Sequence, residues 1–326
     1  RFGRKTSALI GVLCYAVYFV GIVFSPNMYV AYAFAIMGGA ANSFLDTGVI
    51  PACLEILVES SGLATIFTKL AVSLGQLLLP TMIGFVAANE LSFKSIFFLM
   101  AALIIIDGIL IAFMPVPPMN SNVKSGENAA SQKMKFTPAA IALIAIGFTC
   151  TSTFQLWLNC NQEFGKLVGM ADPSRIQSYY STGTIIAVLL TAFLMKKKVQ
   201  PLKFLVLYPA IAMTMLIIVY IVRTPFICLL GGFVIGFSAA GGVLQMATAA
   251  ANDMFPANKG KITSIIMIAS SLANYIILNI AGILTKNGGA EGPLHVILLN
   301  IGITFIGILL AVFVNSQYRK GKVKAS

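Results

Sequence analysis

Histidine, acidic residues and charge in general are scarce in this sequence. Of its 326 residues only 10 % are charged, and it contains ten Asp and Glu, 22 Lys and Arg, and a single histidine, His295. Zinc hydrolases, His-based catalytic triads and haem proteins need histidine, and this one lies at the edge of an apolar run, so these classes are excluded. The five cysteines form no Cys-x-x-Cys pair. The phosphate-binding pattern GxxxxGK[ST] is also absent, which argues against ATP-driven transport, and no cofactor is expected.

Apolar residues, in contrast, are abundant. They make up 58 % of the chain, and the mean hydropathy is +0.92. Soluble domains contain about 45–50 % apolar and about 25 % charged residues. Because so few polar side chains cannot cover the surface of a soluble protein of this length, the apolar residues must face lipid. The composition therefore predicts an all-α integral membrane protein.

Ten apolar segments have the length of a helix that crosses the bilayer, which takes about 20 residues. They lie at 7–24, 28–52, 63–87, 94–114, 138–160, 177–195, 203–222, 226–250, 262–285 and 293–315. A polar stretch at 115–137, rich in Pro, Asn, Ser and Lys, is typical of a flexible linker. We therefore expect an N-terminal bundle at 1–114, a linker at 115–137 and a C-terminal bundle at 138–326.

The basic residues predict the orientation of the chain. If the first residues, the linker and the tail share one side of the membrane, sixteen of the 22 Lys and Arg lie on that side. Cytoplasmic loops carry such an excess, so both termini are expected in the cytoplasm, with the protein in the plasma or bacterial inner membrane. A nucleic-acid surface would need these charges on one soluble domain, and no nucleic-acid partner is expected.

An internal repeat relates the two halves. An offset of 198 residues aligns Gly38 with Gly236 and Gln76 with Asn274, together with the segment boundaries. Duplicated halves are common in secondary transporters. The offset leaves 138–195, the first two segments after the linker, without counterparts in the front half. By symmetry we expect a six-plus-six protein of which helices 3–12 are present and helices 1 and 2 are missing.

The opening residues Arg1-Phe-Gly-Arg-Lys5 resemble the end of the loop motif Gly-x-x-x-Asp-Arg-x-Gly-Arg-Lys between helices 2 and 3 of the major facilitator superfamily. The resemblance implies a helical bundle of major facilitator type. It also implies a cytoplasmic latch in which Gly3, Arg4 and Lys5 meet acids and carbonyl ends of neighbouring helices. In this superfamily helices 1, 4, 7 and 10 line the central cavity, and helices 2, 5, 8 and 11 lie beside them. Here helices 4, 7 and 10 are 28–52, 138–160 and 226–250.

One lining segment carries an acidic residue within the membrane. Asn42 and Asp46 are four residues apart and share one helix face, so the amide can hydrogen-bond the carboxyl. Because a carboxyl group in apolar surroundings holds its proton more tightly than in water, Asp46 is the candidate proton-coupling residue. The alternative is a structural carboxylate that is neutralised by a nearby cation such as Lys69.

Two local patterns help to distinguish between the sugar symporters and the drug antiporters of this superfamily. Leu45-Asp-Thr47, followed by a proline, resembles the fourth helix of the fucose/glucose–proton symporter branch, although Ile50 replaces the asparagine that precedes that proline. Proton-driven drug antiporters carry a Gly-Pro step and paired glycines in helix 5. Here Leu79 precedes Pro80 and no Gly-Gly follows, which weakens the efflux interpretation.

The other candidate site residues are amides and one aromatic side chain. They are Gln76, Gln155, Trp157, Asn159, Gln245, Asn252 and Asn274, and together with Asn42 they form the predicted substrate-binding set. An aromatic ring beside amides suits the apolar face and hydroxyls of a sugar. The alternatives are an interfacial position for Trp157 and inter-helix hydrogen bonds or packing for the amides. Gln155 and Asn159 share one helix face and are the favoured pair.

These observations together predict an alternating-access transporter rather than an enzyme. We expect a small polar, sugar-like solute as the substrate, the proton as the coupling ion, and a monomer in the lipid bilayer. Two alternatives stay open. One is a proton-driven efflux antiporter for drugs or metabolites, and the other is a non-transporting remnant without helices 1 and 2.

Overall fold

A computed structural model describes residues 4–56, 61–114, 136–196, 201–255 and 259–319, and every regular element in them is helical. The helices are α1 Arg4–Val23, α2 Met28–Ile56, α3 Ser61–Ala88, α4 Lys94–Phe113, α5 Pro138–Leu167, α6 Arg175–Lys196, α7 Pro201–Val222, α8 Pro225–Ile235, α9 Val243–Met254, α10 Lys259–Asn287 and α11 Gly292–Arg319. The predicted all-α class is confirmed.

The sequence predicts one continuous helix at 226–250, but this helix is interrupted in the structure. A π-helical turn, Gly236–Ala240, follows α8, and Gly241 and Gly242 separate this turn from α9. The φ angle of Gly242 is +121°, in a region that side chains with a Cβ rarely adopt. Each of the other predicted segments forms one uninterrupted helix.

Eight helical stretches in the described residues are long and apolar enough to cross a membrane. One of them, Pro225–Asn252, combines α8 and α9. The shorter apolar stretch Leu70–Val86 lies in α3. The first half of α6, residues 175–184, is polar. The chain is therefore a multi-pass membrane protein.

Two of the helices begin at a Thr-Pro step. The hydroxyls of Thr137 and Thr224 accept hydrogen bonds from the backbone N–H groups of Ala140 and Ile227, at 3.3 and 3.4 Å. The following prolines have no N–H to leave unpaired and have the backbone φ that a first helical turn requires. These local signals place the starts of α5 and α8.

The helices form two compact units, Arg1–Thr68 with Leu78–Val123, and Lys69–Leu77 with Lys124–Ser326. The predicted limits of the bundles, at 114 and 138, stay a prediction.

In the first unit α1 packs against both α2 and α4. A Cβ at Gly11 would lie 2.9 Å from the backbone nitrogen of Leu45. Glycine therefore lets the α1 and α2 backbones approach closely, as small residues do in membrane helices.

In the second unit α5 packs between α10 and α11, and α6 packs against α8 and the π-helical turn. At the turn, hydroxyl groups from α6 donate to two backbone carbonyls. Thr184 Oγ1 donates to the carbonyl oxygen of Gly236 at 3.1 Å, and Thr191 Oγ1 donates to that of Gly241 at 3.0 Å. Side chains from neighbouring helices commonly stabilise such interruptions within membranes.

Candidate functional site

A chain of three polar side chains joins α1 to α2. The hydroxyl of Tyr15 donates to Oδ1 of Asn42 at 3.1 Å, and Nδ2 of Asn42 donates to Oδ2 of Asp46 at 3.1 Å. The predicted hydrogen bond between Asn42 and Asp46 is therefore confirmed. Tyr15 was not predicted, because its partner lies on another helix and no pattern within α1 distinguishes this tyrosine from its neighbours.

Asp46 lies well inside α2. At a rise of about 1.5 Å per residue, it is about 27 Å from Met28 and about 15 Å from Ile56, the two ends of the helix. Both Asp46 and Asn42 are exposed on the helix surface. Among the described residues the carboxyl forms no ion pair, and the side chain of Lys69, its proposed partner, lies outside them. The hydrogen bond from Asn42 is the contact that the described residues show for this carboxyl.

A second acidic residue, Asp107, is exposed on α4, next to Gly108, which packs against Val12 of α1. No hydrogen bond or ion pair of Asp107 is found within the part of the chain that the structure describes. The side chain of Lys69, a candidate partner of Asp107, lies outside the described residues. Asp107 therefore differs from Asp46, whose carboxyl accepts a hydrogen bond from the Asn42 amide.

The predicted latch residues lie at the start of α1. Gly3 is outside the described residues, as is the side chain of Arg4. Lys5 Nζ donates to the carbonyl oxygen of Met114, which caps the end of α4, at 3.3 Å. A cation at the carbonyl end of a helix interacts favourably with the helix dipole. This contact agrees with the role expected of Lys5.

The favoured amide pair on α5 is present. Asn159 Nδ2 donates to the backbone carbonyl of Gln155 at 2.8 Å and lies 3.2 Å from its Oε1. Gln155 is half-buried and Asn159 is exposed. The two side chains therefore form one polar group on a single face of α5.

Asn274 of α10 lies beside this amide pair by register. Thr151 and Ser270, 119 residues apart, share a hydrogen bond of 2.8 Å between their hydroxyls. Four residues, or about one helical turn, after Thr151 and Ser270 come Gln155 and Asn274. These two residues therefore share the same register between α5 and α10. Oδ1 of Asn274 is buried and has no hydrogen-bond partner among the described residues. A buried acceptor without a partner costs about 1–3 kcal/mol, and a bound donor can recover that cost.

Trp157 requires a correction. Its side chain is only 3 % exposed and packs in the core of the second unit, where its ring lies against Gly231 of α8. Neither the predicted role as an aromatic platform nor the interfacial alternative fits this burial. A spacing of two residues turns Trp157 about 200° away from both Gln155 and Asn159, toward the helices of its own unit.

The three other amide candidates do not join these groups. Asn252 Oδ1 accepts a hydrogen bond from Thr263 Oγ1 at 3.0 Å, which links α9 to α10 and supports the structural alternative. Gln245 is half-buried on α9, and Gln76 is half-buried on α3. No hydrogen bond within the described residues connects Gln76 or Gln245 with Asp46 or with the α5 pair.

A buried polar network between α5 and α11 was not predicted. Asn300 Nδ2 donates to the backbone carbonyl of Thr153 at 3.1 Å, and the hydroxyls of Thr153 and Thr304 are 2.8 Å apart. All three side chains are less than 5 % exposed. Two signals were available in the sequence, namely Asn300 inside an apolar segment and the hydroxyl-rich stretch 149–153.

The cavity beside this network is too small for a solute. Its volume is about 10 Å³, enough for about one water molecule, and its lining includes Thr149, Thr153 and Thr304. Within the residues that the structure describes, no three His, Cys, Asp or Glu side chains come together as metal ligands. The arrangement suits hydrogen bonding.

Comparisons with known proteins agree with this architecture. Residues 1–273 match the sequence profile of the family described as Major Facilitator Superfamily. The chain is 34 % identical over 330 residues to the "Uncharacterized MFS-type transporter YfkL" of Bacillus subtilis, with 98 % of this chain and 82 % of that protein covered. It is 32 % identical over 330 residues to the "Inner membrane transport protein YdiN" of Escherichia coli, with 98 % and 76 % covered.

Solved structures show the same fold at low sequence identity. A bacterial homologue of the human lysosomal transporter Spinster, in an inward-facing conformation, has a TM-score of 0.74 at 12 % identity, over 98 % of this chain and 84 % of that one. A single-residue variant of the Escherichia coli fucose:proton symporter FucP has a TM-score of 0.62 at 15 % identity, over 95 % and 84 %. At these identities the likeness concerns the fold alone.

Proposed function

Because this chain belongs to the Major Facilitator Superfamily, we propose that it is a secondary active transporter that couples a proton to the movement of a small polar, sugar-like solute. The family makes the chain a membrane transporter and not an enzyme. The transport cycle is alternating access around a site in the membrane. The observation that carries the proposal is the Asp46 carboxyl, placed inside a membrane helix with the Asn42 amide as its hydrogen-bond donor.

Asp46 is the proposed proton carrier. An ionised carboxylate costs about 2.5–3.5 kcal/mol at the centre of a membrane helix, whereas a neutral carboxyl costs much less. When water reaches the group from one side, the ionised form becomes accessible and the proton leaves to that side. The Asn42 amide then supplies a hydrogen bond to the ionised form. The carboxyl can therefore bind and release a proton once in each cycle.

The amides of the second unit are the proposed contacts for the solute. Gln155 and Asn159 form one polar group on α5, and Asn274 adds an unpaired acceptor in register with them. Such a set offers both donors and acceptors without a fixed charge, which suits hydroxyl groups. The symport of fucose by FucP, a structural neighbour, is consistent with this class of solute.

The proposed setting is a bacterial inner membrane, where the protein acts as a monomer with both termini in the cytoplasm. The Lys and Arg distribution supports this orientation, and the Escherichia coli relatives are named as inner membrane transport proteins. In this orientation the contact between Lys5 and the end of α4 lies on the cytoplasmic side, where the latch is expected.

Proteoliposomes that enclose a pH-sensitive dye test the proposal. Addition of a panel of neutral monosaccharides should move protons across the membrane together with the solute that is transported. In the Asp46→Asn variant we expect proton movement and gradient-driven accumulation to be lost, with passive exchange of the same solute retained.

Asp107→Asn is the matched control, because it neutralises an exposed carboxyl on α4, a helix of the same unit. It should leave accumulation unchanged. Undiminished accumulation in Asp46→Asn would rule out the coupling role. Proton movement in response to hydrophobic compounds, but not to sugars, would favour the efflux alternative, and the absence of any response would favour the non-transporting alternative.

A further inference from the structure

We propose that Tyr15 is a positioning residue for Asp46. Its hydroxyl holds the Asn42 amide in the orientation that donates to the carboxylate, and so sets the pH at which Asp46 exchanges its proton. The inference rests on the proposed coupling role of Asp46, but the hydrogen-bond relay itself can be measured without transport.

The geometry gives each member of the relay a defined direction. Tyr15 donates to Oδ1 of Asn42, which leaves the two N–H groups of Nδ2 as the only donors of that side chain. Nδ2 faces Oδ2 of Asp46 at 3.1 Å. Without the tyrosine hydroxyl, the amide can turn so that its oxygen accepts a hydrogen bond from the protonated carboxyl, which stabilises the protonated form. A hydrogen bond that polarises the amide also makes it a stronger donor to the ionised carboxylate.

The position of Tyr15 is itself determined by packing. Its ring stacks on Phe19 with the centroids 5.7 Å apart and an interplanar angle of 16°. Tyr18 contacts both rings, at 6.1 and 5.0 Å between centroids, and lies against Gly38 of α2. The hydroxyl of Tyr15 is therefore presented to α2 by an aromatic cluster and not by a freely rotating side chain.

Within the described residues, the helix packed against α2 carries few titratable groups besides Tyr15. α2 packs against α1, whose titratable or charged side chains are Arg4, Lys5, Cys14, Tyr15 and Tyr18. Lys5 donates to the Met114 carbonyl, and the side chains of Arg4 and of Lys69 on α3 lie outside the described residues. Tyr15 is the side chain of α1 whose hydrogen bond leads to Asp46.

The test is labelling of the purified full-length chain with dicyclohexylcarbodiimide, which reacts with protonated carboxyl groups. Mass spectrometry of the Asp46 peptide over a pH series gives the midpoint of the labelling curve, and the Asp107 peptide from the same digest is the internal reference. In Tyr15→Phe, loss of the relay disfavours the ionised form, and we expect the Asp46 midpoint to rise by about one pH unit, a tenfold change in the ratio of the two forms.

Tyr18→Phe is the matched control, since it removes the hydroxyl of a neighbouring tyrosine and keeps the aromatic packing. Its Asp46 midpoint should equal that of the wild type. In Asn42→Ala the midpoint should also rise, and Tyr15→Phe added to Asn42→Ala should produce no further rise, because Tyr15 acts through Asn42.

Three results would overturn the inference. They are an unchanged midpoint in Tyr15→Phe, an equal rise in Tyr18→Phe, and a full additional rise when Tyr15→Phe is combined with Asn42→Ala. Failure of the proposed function is distinguishable from all three. If Asp46→Asn retains accumulation while the labelling shifts are as expected, the relay exists but does not couple transport.

Discussion

The contact between α6 and the π-helical turn predicts a large difference between two glycine-to-alanine variants. A Cβ at Gly236 would overlap the carbonyl oxygen of Tyr180 and would lie 2.8 Å from its carbonyl carbon, whereas ordinary contacts begin near 3.4 Å. Because the obstacle is backbone, no side-chain rotation relieves the overlap. α6 and the turn must separate, which strains the Thr184 hydrogen bond to the Gly236 carbonyl.

Three contributions to the free energy of unfolding determine the size of this effect. Overpacking costs about 1–3 kcal/mol, and the loss of one hydrogen bond costs about 1 kcal/mol. Alanine favours a helical backbone over glycine by about 1 kcal/mol, which offsets part of the cost. We therefore expect Gly236→Ala to lower the free energy of unfolding by about 2 kcal/mol. That value corresponds to a melting temperature about 4–8 °C lower for a unit of this size.

The assay is thermal unfolding in detergent, followed with a dye that becomes fluorescent when it reacts with thiols. Cys150 and Cys228 are 7 % and 0 % exposed, so they react when the second unit opens. Gly302→Ala is the control, because a Cβ there would have no atom within 4 Å. Its melting temperature should equal or exceed that of the wild type. Equal melting temperatures for Gly236→Ala and Gly302→Ala would refute the reasoning.

Two further predictions concern the second unit. Asn300→Ala removes the donor to the buried Thr153 carbonyl and should lower the free energy of unfolding by about 1–3 kcal/mol. Asn279→Ala, which removes a bond to the Tyr275 carbonyl within its own helix on an exposed face, should change it by less than about 0.5 kcal/mol, and equal effects would contradict the assigned role of Asn300. Trp157, the only tryptophan, should resist fluorescence quenching by acrylamide because its ring is 3 % exposed. Quenching as efficient as that of free tryptophan would show that the ring faces water instead.

The extent of the helices could be predicted from the sequence because the thickness of the bilayer and the absence of water leave few other structures for long apolar segments. The interruption after Ile235 could not. Gly241 and Gly242 permit a bend there, but the turn is stabilised by Thr184 and Thr191 on another helix. Their contribution depends on how α6 crosses α8, and no local pattern encodes that crossing.

In the candidate site, too, contacts within one helix could be predicted from the sequence, whereas contacts between helices could not. Asn42 and Asp46 are four residues apart on one helix, so helical periodicity alone predicted their contact. Tyr15 joins them through the packing of α1 on α2, a relation between segments 27 residues apart in the chain. Trp157 is a different case, because helical periodicity turns it away from Gln155 and Asn159 and into the core of the second unit.

The hydroxyl of Thr191 has a second partner within reach. It donates to the carbonyl oxygen of Gly241 at 3.0 Å, and it lies 3.3 Å from the hydroxyl of Tyr208 on α7. Because a hydroxyl has one proton, Thr191 donates to Gly241 while Tyr208 donates to Thr191, and both buried hydroxyl donors have a partner. The two groups join α6, α7 and the end of the π-helical turn in one hydrogen-bonded chain, so that a movement of any of these elements at this point gives up a buried hydrogen bond.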